Sequence, residues 1–566
     1  MKTLLKNGMI VNVFSDSLEK ADVLLEDARI IGVGSYSEQD ADTVEDVTGK
    51  VLCPGFIDGH IHIESSMLRP AQFSKVCLPH GTTAVVADPH EIANVSGLPG
   101  IAYMLEASEG LPMTIYYVVP SCVPATPLDE AGAMLDAGTI SAFYGHPRVL
   151  GLGEVMNYPG VIAGDRDLME KIRITKERGL VVNGHAPMIT GKDLDRYIAA
   201  GITDDHECSS IEEAMERLRK GQWIMIRQGT AARNLEALLP LFEEPWSRRC
   251  LLVTDDKHPA DLLELGHIDS IIRQAVRMGK SVFTGIRMAS LQAAQHFGLN
   301  TKGAIAPGFD ADLLVLDDLN EISVRDVYCG GRKAVENGKV THFESRHARL
   351  DIWNSVFHSF HVSPLKEADF HIEPKGKMCR VIRIIPDQLI TKEEILPIDF
   401  TENNGIDLGR DILKLAVVER HNYTGHIGLG FIRGMGLRSG AVASSVSHDS
   451  HNLIVAGTNE QDMVLAANRV REMEGGLAVA DHGTITADMP LPVAGLMGLE
   501  SAEGAAQQNA RVRAAAKALG APEGIEPFMN LAFVSLPVIP DIKMTTFGPV
   551  DVMRQKLVPL FADAEE

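Results

Sequence analysis

The stretch PGFIDGHIHIE, residues 54–64, sets His60 and His62 one residue apart after an apolar run, with Asp58 before them and Glu64 after. In an extended chain, side chains two apart share a face. Such a stretch presents two imidazoles ringed by carboxylates, a donor set that suits Zn²⁺, Mn²⁺ or Fe²⁺. Groups of the same kind recur downstream: Asp88, His90 and Glu91 in ADPHE, Glu154 in GLGEV, His185 in NGHAP, Asp205, His206 and Glu207 in TDDHE, and Asp255 with Asp256 in VTDD. No thiolate cluster accompanies them, which argues against a structural zinc site. Even four of these histidines with two of the carboxylates exceed the needs of one catalytic ion. The surplus points to two ions bridged by a carboxylate, an arrangement that generates hydroxide from water at neutral pH.

The elements that must position these groups are legible as periodic runs. FIDGHIH, TTAVVADPHE, MTIYYVVPSC, VLGLGEV, GLVVNGHAP, GITDDHE, WIMIRQG and CLLVTDD are short apolar runs, and helix-like stretches such as DLMEKIRITKERG and DLDRYIAA lie between most of them. Runs buried on both faces and alternating with helices indicate a parallel sheet. Eight such units over about 240 residues predict a (β/α)8 barrel, whose active site lies where the strands end. Almost every run closes on a metal-ligand type. An open doubly wound sheet is the competing architecture, but no G-x-G-x-x-G follows the first strand. The α/β barrel is expected over 54–302. Residues 1–53 and 303–345 read as two segments of one β-sandwich domain, and 350–566 as an additional C-terminal α+β domain.

Bulk properties narrow the class. The net charge of −23 disfavours a nucleic-acid partner, and no Lys/Arg block offsets it. Seven scattered cysteines without a C-x-x-C fit a reducing compartment. The start, MKTLLKNGMIVNVFSDS, lacks the long apolar stretch of a secretory signal, and no run is long enough to span a membrane. The expectation is a cytoplasmic protein.

The PGFIDGHIHIE motif, the later single histidines, the TDD of the last strand and the split β domain resemble the amidohydrolase superfamily over roughly residues 1–345. The resemblance implies that His60 and His62 bind the more buried metal, that His185 and His206 bind the other, that Glu154 bridges, and that Asp255 is both ligand and proton shuttle. Glu154 stands where many members carry a carbamylated lysine. Longer stretches, HIHIESSMLRPAQFSKVCLPHGTTAVVADPHEIANVSG and SSVSHDSHNLIVAGTNEQDM among them, resemble bacterial-type adenine deaminases across nearly the whole chain. That implies hydrolytic deamination of adenine to hypoxanthine and ammonia, two divalent ions (Mn or Fe favoured, Zn possible), a small purine substrate and a homo-oligomer, dimer or larger.

Further residues are candidates around this centre. Asp88 and Glu91 suit substrate contact or proton transfer; Arg227 is a substrate donor after the seventh run. His451, in SHDSHN, could reach the substrate, or the segment could bind another ion or form a polar turn. Asp255 and Asp256 point to opposite faces, and Asp255 is assigned to the metals. HEIAN is not a zincin motif, since Asn94 stands where a histidine is required, and the H-x-E…P-C-x-x-C signature of zinc nucleobase deaminases is absent. The alternative readings are another binuclear hydrolase of a cyclic amide or an N-acetyl sugar phosphate, the latter needing basic residues such as Arg69 and Lys257, and a non-catalytic barrel scaffold.

Overall fold

The computed structural model describes residues 1–563 apart from 231, 387 and 402. The chain divides into two units: Met1–Pro89, Met104–Ser121 and Asp136–His347 form the first, and His90–Tyr103, Cys122–Leu135 and Ala348–Glu566 the second.

The first unit begins with strands β1 (Lys2–Asn12), β2 (Ser17–Glu26), β3 (Arg29–Gly34), β4 (Thr43–Asp46) and β5 (Val51–Pro54). Later in the chain β14 (Leu313–Asp318), β15 (Ser323–Cys329), β16 (Arg332–Glu336) and β17 (Lys339–Val340) join them. What the sequence suggests as a sandwich is, in its hydrogen bonding, one nine-stranded sheet of order β17-β16-β15-β14-β5-β1-β2-β3, with β4 on β1. The ladder is continuous because β14 pairs antiparallel with β5 on one side and with β15 on the other. Alternating apolar residues such as Val23, Leu25, Leu313 and Val315 fill its core.

Between these segments lie eight parallel strands: β6 (Phe56–Ile61), β7 (Thr82–Ala87), β8 (Thr114–Val119), β9 (Val149–Val155), β10 (Val181–Gly184), β11 (Asp204–Asp205), β12 (Trp223–Arg227) and β13 (Cys250–Val253). Each coincides with one of the eight runs. β6 to β10 form one ladder and β11 to β13 another. Two contacts close the ring. Thr203 N–H donates to Val182 O at 2.9 Å, and Asp255 N–H donates to His60 O at 3.0 Å, beside a parallel bridge from Ile61 to Asp255. The fold is a closed α/β barrel of eight parallel strands. Every residue of β6 and β7 is buried, as strands covered on both faces must be. β6 can approach β13 because Gly59 has no side chain; a Cβ there would lie 2.3 Å from Leu251 Cδ1. Outer helices follow the 3.6-residue period. In Arg166–Glu177, Leu168, Lys171, Ile172 and Thr175 form the buried stripe, and Asp165 caps the start by accepting Leu168 N–H.

The second unit holds β18 (Met378–Ile384), β19 (Thr391–Pro397), β20 (Ile412–Val418), β21 (Ile427–Arg433), β22 (Ala441–Ser444), β23 (Leu453–Gly457), β24 (Gly476–Asp481) and β25 (Thr484–Pro490). They form one sheet of order β19-β18-β21-β20-β23-β22-β24-β25. Helix Glu460–Glu472 packs Met463, Ala466, Ala467 and Val470 against Ala416, Ala443, Val455 and Ala478 of this sheet. The small side chains permit that close layer. Segments 90–103 and 122–135 fall within the stretch that the sequence gives to the barrel, yet they cluster with this unit. Buried Asp129 shows why: it accepts hydrogen bonds from Ser450 Oγ, Asn452 Nδ2 and Thr546 N–H. Among the described residues, no helix is long and apolar enough to cross a membrane.

Candidate metal centre

The six proposed ligands, separated by up to 195 residues of chain, converge at the C-terminal ends of the barrel strands. His60 lies near the end of β6 and His62 just after it, Glu154 lies near the end of β9, His185 follows β10, His206 follows β11 and Asp255 follows β13. Their ligand atoms form overlapping groups within 4.8 Å of one another: His60, His62 and Asp255; His60, Glu154 and His206; and His185, His206 and Glu207. Glu154 lies at the junction. Its Oε1 is 3.2 Å from His62 Nε2, and its Oε2 is 3.2 Å from His206 Nε2 and 2.6 Å from His185 Nδ1. Asp255 Oδ1 is 3.3 Å from His62 Nε2 and 3.8 Å from His60 Nε2. Asp256, on the opposite face, accepts Ser65 Oγ at 2.5 Å instead.

These residues fit divalent ions. Glu154, Glu207 and Asp255 are three buried or nearly buried carboxylates with one arginine among them, and uncompensated buried charge is costly. His60 Nε2 is buried without a hydrogen-bond partner. His62 Nδ1 donates to Asp88 O at 3.0 Å, which fixes the tautomer and turns the Nε2 lone pair towards the carboxylates.

The electrostatics of the ion-free chain say the same. Burial opposes charge on Glu154, but the imidazoles of His185, His206 and His62 overcome it and hold the carboxyl well below its ordinary range. Burial likewise opposes charge on His62 and His206, and nearby carboxylates override it: Asp255 and Glu154 raise His62 well above its usual value, and Glu154 and Glu207 do so for His206. His60 goes the other way, down to about 3, through burial and the neighbouring His206 and His62. Protons thus gather on the imidazoles where the carboxylates demand positive charge. Cations would displace them, so ion binding releases protons.

Arg227 ends β12, but it is not a free substrate donor. Its Nη1 meets Glu207 Oε1 at 2.5 Å and Asp255 Oδ2 at 2.6 Å, and its Nη2 meets Glu207 Oε2 at 3.0 Å. A guanidinium held between two buried carboxylates acts through them. Asp88 is a strut as well: its Oδ2 accepts Glu154 N–H at 2.9 Å, and burial together with the Glu154 charge pushes its pKa up to about 8. The strut needs Gly153, where a Cβ would lie 2.1 Å from Asp88 Oδ2. Gly153→Ala is expected to cost about 1–3 kcal/mol through overpacking and to displace Glu154. The checks are a lower thermal midpoint and a lower metal content; a variant equal to wild type in both would refute the strut.

Other carboxylates brace neighbouring strand ends. Asp58 accepts His60 N–H and Thr254 N–H, each at 3.2 Å, with Thr254 Oγ and His267 Nε2 on its other oxygen. Asp204 accepts Gly184 N–H, and Asp205 accepts Ala186 N–H and Glu207 N–H. Each brace fixes the backbone on either side of a proposed ligand.

Glu91 and His451 lie in the second unit, where their ligand atoms and that of His448 fall within 4.8 Å of one another. His448 Nδ1 is 3.4 Å from Glu91 Oε1. Ser447 N–H donates to His451 Nδ1 at 3.2 Å, so the proton of the neutral ring sits on Nε2, which is buried without a partner. Burial, with His448 and Arg420 nearby, holds His451 well below its ordinary pKa. His451 is thus built as a neutral donor, a form unsuited to binding an ion through Nε2.

The sequence reading omits Glu207 from the centre. Alternation alone would send it away from His206, but β11 ends at Asp205 and the chain is free to turn. The signal was available in DDHE, four ionisable residues in succession at the end of a buried run.

Two family models match: the amidohydrolase family over residues 51–339 and the adenine deaminase C-terminal domain over 388–556. An adenine deaminase of Desulfatibacillum aliphaticivorans is 47% identical over 561 residues, covering 99% of this chain and 97% of that protein. Adenine deaminase 2 of Carboxydothermus hydrogenoformans is 44% identical, covering 98% and 96%. The adenine deaminase of Bacillus velezensis is 41% identical, covering 99% and 96%. Among solved structures, dihydropyrimidinase from Brevibacillus agri NCHU1002 aligns at a TM-score of 0.48 and 18% identity, over 62% of this chain and 97% of that one. Ligand-bearing strand ends, a closed barrel and full-length relatives agree: the chain belongs to the amidohydrolase family, in the branch that carries the adenine deaminase C-terminal domain.

Proposed function

We infer that this chain is a metal-dependent hydrolase that converts adenine and water to hypoxanthine and ammonia. The observation that carries the hydrolase reading is Glu154, a single buried carboxylate within 3.2 Å of imidazoles from three different strand ends. It joins two ligand groups, as a bridging carboxylate must. The substrate follows from relatives named adenine deaminase at 41–47% identity along the whole chain.

His60, His62 and Asp255 would hold one ion, His185 and His206 the other, and Glu154 would serve both. A divalent pair supplies Lewis acidity, which makes water acidic enough to attack at neutral pH. The donor set of imidazole and carboxylate without thiolate favours Mn or Fe and admits Zn. Asp255 takes the proton lost as water attacks C6 of the purine and returns it to the departing amine. Arg227 holds Oδ2 of Asp255, which leaves Oδ1 facing the histidines.

The test is ammonia release from adenine, other aminopurines and cyclic amides by Mn-loaded and Fe-loaded enzyme, with metal analysis of the same samples. Adenine turnover abolished by a chelator and restored by about two ions per chain is the expected result. Ammonia from a cyclic amide but none from adenine would move the substrate assignment elsewhere in the family.

A further inference from the structure

Beyond the metal centre, the first unit contains a cavity of about 340 Å³ lined by Gln228 and Gly229 after β12, Arg233, Lys257 after β13, and Arg273 and Arg277 of helix Ile268–Arg277. Four cationic side chains face one small space in a chain of net charge −23. Asp261 also lines it, but Thr230 Oγ donates to that carboxylate at 2.7 Å.

The cations are unequally satisfied. Arg273 is paired with Asp269 at 2.6 Å, and Arg277 with Glu321 at 2.8 Å on the exposed side. Arg233 gives its Nε to Gly229 O and its Nη2 to Thr230 O, both uncharged. The Lys257 side chain is buried, at 3% exposure, and its ammonium meets Ser270 Oγ at 3.4 Å. Among the described residues, neither Arg233 nor Lys257 has a carboxylate within ion-pair distance. Asp261 lines the same cavity, and Asp58 and Asp269 act on Lys257 from beyond ion-pair distance; burying its ammonium is still costly, and an anion in the cavity would offset that cost. In closed β/α barrels the loops after the seventh and eighth strands are a recurrent place for phosphate; here those loops supply Gln228, Gly229 and Lys257.

We propose that this cavity binds a phosphate group, as inorganic phosphate or as the terminal group of a small phosphomonoester. Arg233 and Lys257 supply the charge, and a guanidinium can engage two phosphate oxygens at once. None of the residues that line the cavity is among the proposed metal ligands. Its floor is nevertheless the segment that carries Asp255: Thr230 N–H donates to Asp256 O at 2.8 Å, and His258 N–H donates to Thr230 Oγ at 2.9 Å.

The test is equilibrium binding of inorganic phosphate and of adenosine 5′-monophosphate to the full-length metal-loaded enzyme, to Lys257→Gln and to Arg233→Gln, with metal content measured in each. Arg233 is exposed and its replacement should fold even if the buried Lys257→Gln does not. The expected result is saturable binding of at least one ligand, weakened about tenfold or more in each folded variant at unchanged metal content. Binding of phosphate alone would identify the free anion as the ligand, and binding of the nucleotide alone a phosphomonoester. No saturable binding of either, or equal affinity in wild type and Arg233→Gln, overturns the proposal; the latter would place phosphate on the metals. Because the readout is binding, failure here leaves the deaminase reading intact, and absence of adenine turnover would not disturb this site.

Discussion

Glu154→Gln is expected to lower adenine turnover by roughly 10²–10⁴-fold and to reduce bound metal from about two ions per chain to about one or none. Glutamine keeps the size of the side chain and removes its charge. It also replaces one acceptor oxygen with an NH2 group, which would confront imidazole nitrogens at 2.6 Å and 3.2 Å. Removing one partner of a buried charge cluster costs about 3–5 kcal/mol, and each 1.36 kcal/mol is a factor of ten in rate. The bridging position makes the loss larger than at a terminal ligand, because both ions lose a donor together. Metal analysis with ammonia release from the same preparation decides it. A variant that keeps two ions and wild-type turnover would mean that Glu154 does not bridge.

The expectation for Glu154 could be formed from the sequence because the barrel is built from repeats of one signal. A short run buried on both faces has few ways to be polar, so Glu154 after LGLG, or His185 after VVNG, stands out against its neighbours. The same reasoning found all eight strands, including β11, which is only two residues long. It could not find what depends on contacts across the barrel. Arg227 reads as a substrate donor in isolation; its actual partners, Glu207 and Asp255, lie 20 and 28 residues away. Asp88 reads as a mouth residue, but it turns inward because Gly153 leaves room for its carboxylate. Spacing carries no information on either pairing. The grouping of segments 90–103 and 122–135 with the second unit is hidden for the same reason, since it rests on long-range bonds such as those of Asp129 to Ser450 and Thr546. Local period predicts elements; which buried polar group satisfies which is decided only when the elements meet.

Asp255→Asn is expected to retain most of the bound metal and to lose roughly 10²–10⁴-fold in turnover, the span of a general acid–base contribution. The two effects separate because the side chain does two things with different atoms. Oδ1 faces His62 Nε2 at 3.3 Å, where an asparagine carbonyl can still donate a lone pair to an ion. Proton transfer instead requires that the group gain and lose a proton, which an amide does not do near neutral pH. Arg227 adds to the contrast. It holds Oδ2 at 2.6 Å, and with His62 it overcomes burial to keep Asp255 ionised. In the variant the same guanidinium competes with the ions for the one amide oxygen, so a part of the metal affinity is also expected to be lost. A fall in turnover that simply tracks the loss of metal would reduce Asp255 to a ligand. A large loss at nearly full metal content, with KM for adenine little changed, would assign it the proton. Wild-type turnover in a fully loaded variant would remove it from both roles and return the shuttle to another acid.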